Sequence, residues 1–132
     1  HSELKHILPP MLETAAKHIL RARAHAEARE IEARLMATED ALKIITGLQG
    51  CLQVTDATEG IAAVLQQYYM TLTLQITHIN VRNDPAMCDT VVQSLRTMAR
   101  TWRETEAQAR LETGGRQGGM HAAPGSVDLA AC

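Results

Sequence analysis

Apolar residues along this chain return every three or four positions in four long stretches, the spacing of helices that each bury one face. In the first stretch Met11, Leu12, Ala15, Ala16, Ile19, Ala22 and Ala26 share one side. Pro9 and Pro10 predict its start, since proline suits an opening turn and is costly inside a helix. The second helix is expected over about 30–53, with Ile31, Leu35, Leu42, Ile45 and Leu52 as its core stripe. No Gly or Pro marks the turn before it. The third opens where Asp56 can cap the free amides and Glu59 can reach back to it. Its stripe is Ile61, Leu65, Tyr68, Leu72, Ile76 and Ile79. Asn83, Asp84 and Pro85 predict a stop near Arg82 and a restart, with Asp84 as cap and Pro85 in the first helical position. The fourth helix gathers Met87, Cys88, Val91, Val92, Leu95, Met98, Ala99 and Trp102 on one narrow arc and fades near Leu111. On that arc Trp102 is expected to be a core anchor rather than a ligand-stacking residue.

Short connections between long helices force antiparallel neighbours, so the predicted fold class is all-α, an antiparallel up-down four-helix bundle over 1–112. From 113 to 132 the sequence turns to Gly, Ala, Ser and Pro, and a flexible tail is expected. Composition agrees with packed helices. The 132 residues are 45% hydrophobic with no Phe, one Trp and two Tyr, so one core must be built from Leu, Ile, Val, Met and Ala.

A formal net charge of −2 offers no long-range attraction to phosphate backbones, and nucleic acid is not an expected partner. No apolar run approaches the roughly 20 residues that span a bilayer, so no membrane insertion and a cytoplasmic location are expected. The start at His1 without Met reads as a trimmed or tagged terminus. Cys51, Cys88 and Cys132 are odd in number and lack CxxC spacing, which suggests neither a disulfide framework nor a zinc site. A di-iron bundle needs two Glu-x-x-His pairs with further carboxylates, and only Glu3 with His6 has that spacing. His18 and His25 fall on the polar side of their helix. No nucleophile elbow occurs, and the Gly114 to Gly119 stretch lacks the Lys-Ser/Thr ending of a phosphate loop. The expectation is a binding protein with no catalytic residues, no metal and no cofactor.

A second apolar face points to what is bound. On the third helix Met70, Leu74, Val81 and the small Ala63 fall opposite Leu65 and Leu72, where a surface helix should be polar. On the second helix Ala37, Ala41, Ile44, Leu48 and Cys51 widen the arc beyond Leu42 and Ile45. Wide arcs with small residues make a groove for another helix, so Ala41, Ile44, Leu48 and Cys51, together with Met70 and Leu74, are the candidate partner-binding residues.

The stretch from Glu32 to Arg103 resembles the flagellar secretion chaperone family FliS. "ATEDALKIITGLQGCLQ" is similar to the family's second helix, and "INVRNDPAMCDTVVQSLRTMARTWRE" to its signature of Ala-Asn-x-x-Asn-Asp, a helical spacer and a closing Leu and Trp. Asn80, Asn83, Asp84 and Trp102 are the matching positions. The three signature residues before the spacer are expected to cap the ends of two helices. The resemblance implies a cytosolic bundle that binds the disordered C-terminal region of flagellin, prevents premature polymerisation and keeps the subunit competent for type III export. Partners would be the flagellin C-terminal segment and the flagellar export gate, with the chaperone a monomer or weak homodimer. From another class, the same second face would suit a structural or adaptor bundle, or a co-chaperone, that self-associates.

Overall fold

Alanine at contact positions lets two helices approach closely, and the first helix turns most of its alanines inward. The computed structural model describes residues 2–52 and 59–115, with side chains over 8–52 and 60–112. Within them the chain runs as α1 (Ser2–Glu27), α2 (Ile31–Gly50), α3 (Glu59–Arg82) and α4 (Pro85–Gly115). The fold is all-α, an antiparallel up-down four-helix bundle. α1 lies closest to α2 and α4. The buried positions along those seams are small: Ala15, Ala16, Ala22 and Ala26 on α1, Ala37 and Ala41 on α2, Ala99 on α4. α3 stands further off, across the larger Leu65, Tyr69, Leu72, Ile76 and Ile79. Each such aliphatic side chain contributes about 1.5–3 kcal/mol on burial.

The ends of the elements differ from expectation in ways that packing explains. Pro9 and Pro10 do not open α1 but sit inside it. They forfeit two backbone hydrogen bonds, yet Leu8 is buried in the core with Leu12, Ala15 and Ala16 on the same face, and that contact holds the turn helical. α4 runs to Gly115, past the expected fade at Leu111. The capping expected of Asp56, the side chains of Glu3 and His6, and the tail from 116 onward lie outside the described residues.

The turn between α1 and α2 needs no glycine because Arg29 takes the left-handed conformation itself, at φ 58°. Glu30 N–H donates to the His25 carbonyl at 2.8 Å and Arg29 N–H to the Ala26 carbonyl at 3.1 Å, the paired bonds of a Schellman end. Asn83, at φ 51°, does the same after α3, and Asp84 N–H reaches back to the Ile79 carbonyl. Asparagine tolerates that conformation better than arginine.

α2 is rotated from its expected phase. Its core face is Ala37, Ala41, Ile45 and Leu48, whereas Ile31 and Leu35 are exposed. Weighting Leu and Ile over Ala set the expected stripe on the wrong side, because the tight seam with α1 selects small residues. Ion pairs stitch the surface between helices: Arg23 Nε to Asp89 at 2.7 Å, Arg21 to Asp40 at 3.7 Å, and Arg103 to Glu13. At such exposure each is worth little. No helix among the described residues is long and apolar enough to cross a membrane.

Two outcomes follow from these packings. Trp102 is 8% exposed and belongs to the core cluster, so Trp102→Ala should destabilise by about 3–5 kcal/mol in a denaturant melt; red-shifted native fluorescence would contradict its burial. Arg29→Gly should raise stability by roughly 0.5–1 kcal/mol, because glycine adopts positive φ without strain. A lowered melting temperature would contradict the strain.

Candidate partner-binding face and its polar latch

At the end of the bundle where α1 and α3 stop and α2 begins, an arginine is buried. Arg34 is only 4% exposed and follows the core spacing of Ala37, Ala41, Ile45 and Leu48. Its Nε donates to Asn80 Oδ1 at 3.1 Å, one terminal nitrogen to Asn83 Oδ1 at 2.6 Å and the other to the Asn80 carbonyl at 3.1 Å. Asn80 Nδ2 donates to Thr38 Oγ1 at 3.0 Å, and Asn83 Nδ2 to the Ala26 carbonyl at 3.0 Å. The latch thus joins α2 to the last turns of both α1 and α3. Both helix C-termini carry partial negative charge, which favours the guanidinium there.

Asp84 completes the signature on the next element. Its Oδ1 accepts from the backbone N–H groups of Ala86 at 3.0 Å and Met87 at 3.2 Å, while Oδ2 lies 3.1 Å from His78 Nε2. The hydrogen bond with His78, then that from Met87, holds its carboxyl below the usual range. Burial raises both tyrosine hydroxyls, with Tyr68 also donating to the Ser94 carbonyl at 3.2 Å. Burial pushes the free Cys88 thiol up to about 11, which leaves it protonated and inert at neutral pH. Among the described residues no three His, Cys, Asp or Glu side chains gather as a metal site.

The six residues expected to form one groove do not come together. Ala41 and Leu48 face the core, and Ile44 is half-buried against it. Cys51 is half-buried. Met70 and Leu74, by contrast, point outward from α3, 51% and 69% exposed. At 100° per residue Val81, 72% exposed, continues their line. On α2 the exposed apolar residues toward α3 are Ile31 and Leu35, with Leu42 half-buried beside them. Two cross-links set the level of one helix against the other: Thr38 with Asn80, and Gln49 Nε2 to Gln66 Oε1 at 3.3 Å. Interpolating between them brings Leu42 to about the level of Leu74, and Leu35, beyond the first link, stands near the level of Asn83. Leu35 stands exposed at the α2 side of the seam, while Met70, Leu74 and Val81 form an exposed aliphatic strip on the outward face of α3, opposite Leu65 and Leu72.

The sequence puts Leu35 and Leu42 on the core stripe and Val81 on the second apolar face with Met70 and Leu74, and gives no part to Arg34. Its signal was the spacing to Ala37, Ala41, Ile45 and Leu48, which puts it on the inward face once α2 is correctly phased.

An all-α bundle with an outward aliphatic strip is the architecture of helical chaperones and adaptors. A family model described as Flagellar protein FliS matches residues 4–109, most of the chain, and the chain belongs to the FliS family. Among curated proteins, the flagellar secretion chaperone FliS of Vibrio cholerae is 30% identical over 96 residues, covering 73% of this chain and 70% of that protein.

Because the folded Asp84 pKa lies below its unfolded value of about 3.8, the carboxylate stabilises the fold above that pH, and the contribution disappears as pH falls through the lower folded pKa. Wild type should melt higher than Asp84→Ala at pH 7, with the gap closing below about pH 3.8. A gap independent of pH would show that the ionised cap is not the source.

Proposed function

We propose that this chain is a cytoplasmic export chaperone that holds the disordered C-terminal segment of flagellin, keeping the subunit unpolymerised and competent for flagellar type III secretion. Membership of the FliS family and the name of the Vibrio cholerae relative support the class of activity, which is not an enzymatic one. The observation that carries the proposal is the exposed strip of Met70, Leu74 and Val81 on the outward face of α3. From Met70 to Val81 it runs about 16 Å along α3, enough for three turns of an amphipathic client helix. A segment that orders on binding needs such an apolar track to offset its ordering cost. Of the groove residues expected from sequence, Met70 and Leu74 remain as client contacts; Ala41 and Leu48 act from the core beneath. The export gate is the second proposed partner, and the chaperone works as a monomer or weak dimer.

Calorimetric titration with a flagellin C-terminal peptide tests this. Leu74→Asp and Met70→Glu should each weaken binding at least tenfold, since a carboxylate facing an apolar client is desolvated without a partner. Their melting temperatures should stay within about 2 °C of wild type, as befits exposed positions. Leu48→Glu should unfold the bundle instead. Unchanged affinity in both folded surface variants would remove the strip as the client site, and tight concentration-dependent dimerisation abolished by Leu74→Asp would assign it to self-association.

A further inference from the structure

We propose that Arg34 is a positioning residue that fixes the axial register of α2 against α3 and so sets where Leu35 stands relative to the exposed strip on α3; its consequence for binding rests on the functional proposal above. The exposed apolar residues belong to two helices. Leu35 follows Arg34 directly on α2, and Val81 follows Asn80 directly on α3, so the latch ties the levels of these two residues.

Most of the α2–α3 contact is aliphatic, and aliphatic contacts accept small shifts of one helix along another. Hydrogen bonds do not. A slip of one residue moves a helix about 1.5 Å along its axis, which would break the 2.6 Å bond from Arg34 to Asn83 and both contacts to Asn80. Among the described residues, the cross-link at the other end of the seam is the 3.3 Å bond from Gln49 to Gln66. Among them Arg34 and Thr38 therefore supply most of the directional contact between α2 and α3.

The burial of the charge argues against simple stabilisation. A guanidinium removed from water carries a large desolvation cost, and replacing a buried polar set by apolar residues of similar size is often neutral or stabilising. No carboxylate pairs with Arg34 among the described residues; its acceptors are the Asn80 side-chain and backbone oxygens and Asn83 Oδ1, at the end of α3. Such buried groups find their best-attested use in setting register, as a buried asparagine does in coiled coils.

The test replaces the latch by apolar side chains in Arg34→Met with Asn80→Leu, leaving the Asn83 bond to Ala26 in place. Melting should stay close to wild type, while the methyl nuclear Overhauser contacts expected across the core between Ile45 and Leu72 and between Leu48 and Leu65 weaken or split into two sets. Affinity for the flagellin peptide should fall at least tenfold. Arg34→Lys, which keeps the charge but cannot reach Asn80 and Asn83 together, should give an intermediate pattern and carries the same readout should the double variant not fold. Wild-type methyl contacts in a folded variant would overturn the proposal. If wild-type protein binds no flagellin peptide, the functional proposal falls, and the methyl contacts alone decide the register.

Discussion

A guanidinium buried among aliphatic side chains has to be met by oxygen atoms, and in this bundle they come from the end of α3, which is itself tied to the end of α1. Arg34 reaches the Asn80 carbonyl and the side chains of Asn80 and Asn83, and Asn83 in turn holds the Ala26 carbonyl. For these atoms to converge, α1 must end at Glu27 and α3 at Arg82, and Asn83 must turn left-handed. The turn chemistry and the latch are thus one arrangement. The residue after Asn83 then serves the next helix, with Asp84 capping α4. Three side chains within five positions close one helix, open another and hold a third.

The rest of the architecture follows from side-chain size. Alanine-rich seams draw α2 and α4 close to α1, while α3 is kept at a distance by Tyr69, Leu72, Ile76 and Ile79. A helix held off by bulky residues leaves a shallow channel beside it. On its outward face α3 carries Met70, Leu74 and Val81 in water rather than charge. Aliphatic groups left in water on one continuous line are costly to solubility, and proteins keep them where a partner covers them.

Much of this was legible in the sequence. The stripes of the third and fourth helices, the burial of Trp102 and the restart at Asp84 and Pro85 follow from spacing and cap chemistry, because large apolar residues there coincide with the core. α2 misled for the opposite reason. Its core is Ala37 and Ala41, and alanine carries too little hydrophobic weight to outvote Ile31 and Leu35, which lie on the rim. The same error hid Arg34 and drew Ala41 and Leu48 into a groove they do not line. Pro9 and Pro10 and the left-handed Arg29 were beyond local rules, since in each case tertiary packing overrides a local penalty.

The division between directional and non-directional contacts bears on the proposed client. Burying about five aliphatic side chains contributes roughly 7–15 kcal/mol before costs, and ordering a disordered segment of a dozen residues costs on the same order. The strip alone therefore does no more than offset that ordering cost, and a client helix must add its own backbone bonds and the burial of its own apolar face to reach a modest net affinity. Modest affinity is what an export chaperone needs, because its cargo has to leave. Van der Waals contacts read the spacing of apolar anchors rather than their identity, so selectivity rests on the rigidity of the line that presents them. With the hydrogen bonds kept inside at the latch and the aliphatic groups kept outside, the bundle can hold that line fixed while leaving the grip on the client weak enough to release.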